Sequence, residues 1–122
     1  MADPGLIRIC ESTRLHEGGL GVRFDVTTDR FTGAAFVVRH QGRVRAYLNR
    51  CAHVGLELDW NPGHFLDDER RWLICAVHGA LYDPASGTCA GGPCEGRGGL
   101  TALTVLEIDG VVYWRHNGGS PP

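Results

Sequence analysis

The chain has 122 residues with 12 basic and 14 acidic side chains, a formal net charge of -2. That length suits one domain burying about two-thirds of its unfolded surface, and the basic residues, all arginine and scattered, supply no stripe for a nucleic acid. The opening Met1-Ala2-Asp3-Pro4-Gly5 has neither a charged start nor an apolar run, so no secretory signal or membrane anchor is expected and the protein reads as cytoplasmic.

The 18 glycines exceed the usual share of about 7%, while apolar content is ordinary. The excess belongs to turns, and many turns imply many short strands. Residues 6–10 read as an edge strand, followed by a polar stretch and the Gly18-Gly19 turn. Val22, Phe24 and Val26 then alternate with Arg23 and Asp25, the period of a half-buried strand. Residues 35–39 and 43–48 read as two strands of a hairpin joined by His40-Gln41-Gly42, with His40 a solvated turn residue. The second arm runs through Asn49-Arg50 directly into Cys51, which mounts the next loop on a strand end.

Trp60-Asn61-Pro62-Gly63 and the charged 67–71 stretch are turns. Residues 72–74 form a short strand leading into Cys75, and Leu81-Tyr82 continues it after His78. Turns follow at 83–87 and at Ala90-Gly91-Gly92-Pro93. Residues 100–114 contain a hairpin with Leu103 and Val105 on one arm and Asp109-Gly110 at a type I′ turn; its arms return to the first sheet. No helix-period stripe is present. The expectation is an all-β domain in which two loops, each entered from a strand, make a compact subdomain with a nearby glycine- and proline-rich loop.

Those loops carry the chemistry. Cys51-Ala52-His53 and Cys75-Ala76-Val77-His78, separated by 21 residues, each offer one thiolate and one imidazole. Zinc accepts such a set, but zinc fingers usually pair two cysteines and then two histidines. One thiolate and one imidazole per loop suits a site where two metals are distinguished. In a [2Fe-2S] cluster, one iron held by thiolates and the other by imidazoles removes two negative charges relative to four thiolates and raises the potential.

Cys51-Ala52-His53-Val54-Gly55 and Cys75-Ala76-Val77-His78-Gly79, with Tyr82-Asp83 and Gly91-Gly92-Pro93 downstream, resemble the two cluster boxes and the proline loop of Rieske iron-sulfur proteins. The resemblance implies an all-β, Rieske-like fold in one domain, 1–122, with an antiparallel β-sandwich base and a small cluster-binding subdomain of two loops and a proline loop. Its base would be 6–48 and 97–116, its cluster-binding subdomain 49–96, and its flexible tail 117–122. It also implies a [2Fe-2S] cluster with Cys51 and Cys75 on the buried iron and His53 and His78 on the outer iron. Gly55, Gly79, Tyr82 and Pro93 would surround it, Gly79 letting backbone amides approach and Pro93 shielding the cluster from solvent.

High-potential respiratory members of that family carry an extra cysteine in each box, where this chain has Leu56 and Val77, and a serine where it has Ala80. The chain is therefore more similar to the soluble Rieske ferredoxins. The implied role is a one-electron carrier, not an enzyme, passing electrons from a ferredoxin reductase to a terminal oxygenase or other acceptor. Its potential would lie toward the low end of the roughly -150 to +300 mV Rieske span, with a Tyr82 hydrogen bond raising it modestly. The alternatives are a non-catalytic Rieske subunit or redox sensor in a larger complex, and a structural zinc module. Neither a nucleic acid nor a membrane is expected as a partner.

Other residues invite sharper readings than they support. Cys89 and Cys94 bracket the proline loop, and a redox-active disulfide there is conceivable, but small apolar packing is the favoured reading because cytosolic disulfides are uncommon. Cys10 reads as packing too. His64 reads as a solvated loop residue, His16 and His116 as ordinary surface or core residues with no motif around them, and Trp60 and Trp72 as core. Asp67-Asp68-Glu69 reads as a solvated turn, with the alternative of an acidic loop steering a basic partner.

Overall fold

The computed structural model describes residues 5–27, 32–50, 57–59, 61–76, 79–92 and 99–115. They form strands β1 (Leu6–Glu11), β2 (Val22–Thr27), β3 (Thr32–His40), β4 (Arg43–Leu48), β5 (Leu73–Ile74), β6 (Leu81–Tyr82), β7 (Cys89–Gly91), β8 (Ala102–Leu103), β9 (Val105–Ile108) and β10 (Val111–Arg115). Three antiparallel sheets result, ordered β1-β10-β9, β2-β3-β4-β8 and β5-β6-β7. A 3-10 turn, Ser12–Arg14, follows β1, and no α-helix occurs among the described residues. The all-β expectation holds. Among those residues no helix is long and apolar enough to cross a membrane.

β3 explains the layering. Ala35, Phe36, Val37 and Val38 are each 0% exposed, and a strand apolar at consecutive positions has to be covered on both faces. Side chains alternate across a strand. Phe36 and Val38 accordingly join a core with Tyr47, Leu58, Phe65, Leu73, Cys75 and Tyr82. Val37 and Ala35 join cores that contain Val112 and Trp114. The sheet β2-β3-β4-β8 is thus a middle layer, with β1-β10-β9 on one side and the β5-β6-β7 sheet on the other.

Two-residue turns set the hairpin registers. Gln41 and Gly42 have φ of 52° and 78°, Asp109 and Gly110 have 50° and 79°, the double positive φ of a type I′ turn that follows the strand twist. Because His40 pairs with Arg43, His40 ends β3 and is half-buried, not a solvated turn residue as its sequence position suggests. The C-terminal hairpin also departs from expectation. Leu103 pairs with Ala46 in the middle sheet, whereas Val105 begins β9 and pairs with Trp114 in the other. The arms therefore join β1 through β10, and only β8 returns to β4. The strand expected at 72–74 is Leu73–Ile74, with Trp72 half-buried beside it.

Candidate metal centre

The second ligand loop is the connection between β5 and β6. Leu73 pairs with Tyr82 and Ile74 with Leu81, so residues 75–80 must reverse the chain at the sheet end. The Cys75 amide donates to the Ala80 carbonyl at 2.9 Å, and the Gly79 amide to the Cys75 carbonyl at 2.7 Å. Gly79 reverses the backbone at φ 75°, a conformation side chains disfavour. Cys75 is 0% exposed, whereas Ala76 and Gly79 on the same loop are exposed. Its thiol side is sealed and its rim open.

The glycine-rich strand end presses on this loop. A Cβ on Gly92 would lie 2.8 Å from the Gly79 carbonyl oxygen and 3.2 Å from the Ala80 Cα, so only glycine permits this approach. Tyr82, 0% exposed, belongs to the same core as Cys75. Beneath it the Tyr47 hydroxyl donates to the Pro84 carbonyl at 2.7 Å. Burial pushes the Tyr47 phenol up to about 12, keeping that donor protonated.

Cys51, His53, Gly55, His78 and Pro93 lie outside the described residues, as do Leu56, Val77, Trp60, Cys94, His116 and the 117–122 tail. No group of three or more His, Cys, Asp or Glu capable of holding a metal gathers among the described residues, since of the four sequence-derived ligands only Cys75 is among them. What is described is how the two boxes are held together. The Ala76 amide donates to the Leu58 carbonyl at 3.0 Å, fastening the downstream end of the first box beside Cys75.

Both ends of the first box are fastened by a pair that sequence reasoning passed over. Asn49 is 4% exposed and Asp59 is 6% exposed. The Asn49 Nδ2 donates to the Asp59 carboxylate at 2.8 Å, and the Asn49 Oδ1 accepts from the Leu58 amide at 2.8 Å. Asp59 also accepts from the Gly63 amide at 3.0 Å, and Arg23 lies 3.7 Å from it. Buried polar groups satisfied this fully hold one geometry. Asn49 stands two residues before Cys51; that proximity was the available signal, but its partner ten residues on had none.

Elsewhere Asp67 is not a simple solvated residue, because its carboxylate accepts from the Arg71 and Trp72 amides at 2.9 and 3.2 Å. Asp68 and Glu69 are exposed, as are His16 and His64. Cys10 is a buried thiol, 3% exposed. Cys89 corrects the packing expectation: it is disulfide-bonded. Neither Cys10 nor Cys75 takes part in a disulfide, so its partner lies outside the described residues.

A Rieske [2Fe-2S] domain model matches residues 6–107. The chain belongs to the Rieske [2Fe-2S] domain family. The family's group is a [2Fe-2S] cluster, and the described part of the centre fits it: a sealed cysteine at the head of a closed loop, an open rim, and a glycine, Gly92, where a side chain would crowd. No curated protein matches the chain. Among solved structures, the ferredoxin of carbazole 1,9a-dioxygenase from Nocardioides aromaticivorans IC177 is similar, with a TM-score of 0.71 and 23% identity over 92% of this chain and 98% of that one. The Sphingomonas yanoikuyae B1 ferredoxin has a TM-score of 0.66 and 23% identity over 91% and 98%. The terminal oxygenase of the Nocardioides system contains the same fold, with a TM-score of 0.70 and 25% identity, but the match spans only 32% of that longer chain.

Proposed function

We propose that this Rieske protein is a one-electron carrier of the ferredoxin type, taking electrons from a reductase and delivering them to a terminal oxygenase. The observation that carries the reading is one of scale: the fold matches 98% of the Nocardioides ferredoxin but 32% of its terminal oxygenase. The match thus takes in nearly all of a ferredoxin and about a third of an oxygenase.

In this reading Cys51 and Cys75 hold the inner iron and His53 and His78 the outer one, in a subdomain of 49–96 set on a base of 6–48 and 97–116. When bound, the cluster accepts and releases one electron. The chain's own residues supply the asymmetry. Cys75 is sealed under Tyr82 and Phe36, while exposed Ala76, Gly79 and Gly92 form a low rim that lets a partner approach the imidazole side. Val54, Leu81 and the Gly91-Gly92-Pro93 loop make the contact patch, and small, brief contacts suit redox encounters. The cell compartment is the cytoplasm.

The test is reconstitution. Purified protein is expected to be red-brown, to hold about two irons and, on reduction, to give the low g-average EPR signal of mixed His/Cys ligation. With a ferredoxin reductase and a Rieske oxygenase it should support substrate turnover that stops when the protein is omitted. Tightly bound zinc without that signal would refute the cluster. A correct signal with no electron delivery to any oxygenase would favour a fixed subunit or a sensor.

A further inference from the structure

Two arginines of the central hairpin have opposite surroundings. Arg39, on β3, donates through Nε to the Leu15 carbonyl at 2.8 Å and through its terminal nitrogens to Glu107 at 2.6 and 3.2 Å. Arg45, on β4, has no salt bridge and no side-chain hydrogen bond among the described residues. Its Nε is buried without an acceptor, although the residue as a whole is half-buried. An enclosed N–H of a cation left unmade is costly in a folded chain.

Arg45 lines a cavity of about 230 Å³, and among the described residues it is the only charged one doing so. The cavity has a topological cause. β8 pairs with β4 only at Ala46 and Tyr47, and at Thr104 the chain leaves the middle sheet to start β9 in the other. The Arg115 amide pins that crossover by donating to the Thr104 carbonyl at 2.9 Å. Val44 and Arg45 are therefore left beside a gap, walled mainly by Val44, Leu103, Val105 and Ala85, with Thr104 as the one other polar side chain besides the buried Tyr47.

We propose that this gap is a binding site for a small organic monocarboxylate, held by its carboxylate on the Arg45 guanidinium with its apolar body against the aliphatic walls. The planar fork of a guanidinium matches a carboxylate in two parallel hydrogen bonds. The aliphatic lining favours a ligand with an apolar part over a bare anion. The volume lies below the roughly 300–1,000 Å³ of drug-sized sites, which limits the ligand to about the size of benzoate. The site does not depend on the electron-carrier reading.

Saturation-transfer NMR on the cluster-loaded protein tests it, with benzoate as the probe. The expected result is saturable binding near about 1 mM, at least about tenfold weaker in Arg45→Gln. Ala102→Phe, which fills the gap from the exposed edge of β8, should weaken it comparably and keeps the test valid if the arginine variant misfolds. Benzyl alcohol, equal in shape but uncharged, should show no saturable binding. Absence of saturable benzoate binding, benzoate binding unchanged in both variants, or inorganic phosphate competing at concentrations as low as benzoate's own would each overturn the assignment.

Discussion

The base, built on two of the sheets, and the half built on β5-β6-β7, which bears the cluster in the proposed reading, are held together by different means. Apart from the two-residue β8, the base rests on strands of four to nine residues, two-residue turns and apolar cores shared by two sheets. The cluster-bearing half has strands of two or three residues. Its shape comes instead from loop hydrogen bonds and from single polar side chains: Asn49, Asp59, Asp67 and Asp83, the last capping the Ala85 amide at 2.8 Å. Apolar burial tolerates substitution of similar volume, whereas a clamp of directed hydrogen bonds fails when one partner is lost. The difference teaches where each half is vulnerable.

The largest effect should come from the residue that erases the distinction. Phe36 lies on the strand both halves share and stacks on Phe65 with ring centroids 3.9 Å apart. Phe36→Ala is expected to cost about 3–5 kcal/mol, lowering the denaturant midpoint of the base and the cluster-bearing half together. Separate transitions by far-UV circular dichroism and by visible absorbance would show instead that the halves unfold independently.

Asn49→Ala should separate them. It strands the buried Asp59 carboxylate and the Leu58 amide, a loss of about 2 kcal/mol confined to the first ligand box. Iron release to a chelator should accelerate well before the base loses structure; equal rates in the two proteins would remove Asn49 from the account.

Inside the base, a polar link between two sheets is testable by pH. Arg39 bonds to Glu107 at 2.6 Å and holds its carboxyl below the ordinary value of 4.5. A lowered folded value means that the contribution is complete above 4.5 and is lost as pH falls through the folded value. Glu107→Gln should therefore be less stable than the parent by about 1 kcal/mol or less near neutrality, with the gap closing in acid. A gap that widens in acid would contradict the ion pair.

The smallest expected effect belongs to the cluster-bearing half alone. Tyr82→Phe keeps the buried ring but removes its hydroxyl, and voltammetry should find a modestly lower potential with unchanged thermal stability. An unchanged potential would exclude the Tyr82 hydroxyl from tuning.

Much of the base was legible because its signals are local. The alternation of Val22, Phe24 and Val26 and the Gln41-Gly42 and Asp109-Gly110 dipeptides specify strands and turns within a few residues. Where local reading slipped, a distant partner had intervened. His40 extends β3 because Arg43 pairs with it, and the 100–114 segment divides at Thr104 because Ala46 claims Leu103 while Trp114 claims Val105. Cys89, read as packing, is disulfide-bonded, and thiol pairing depends on proximity that composition does not encode.

By itself the sequence determined the donors on offer, two Cys/His pairs 21 residues apart, and through them the resemblance to the Rieske boxes, since one thiolate and one imidazole from each of two loops departs from the usual zinc-finger pairing and suits two unequal irons. Leu56, Val77 and Ala80 turned that resemblance toward the soluble Rieske ferredoxins. Only the tertiary structure decided how the centre is supported: Asn49 against Asp59, Gly92 against the Gly79 carbonyl, Leu58 bonded to Ala76. It alone left Arg45 beside an open cavity while Arg39 found Glu107. Such contacts join residues far apart in the chain, and their energies depend on burial and direction, which exist only once the sheets have packed.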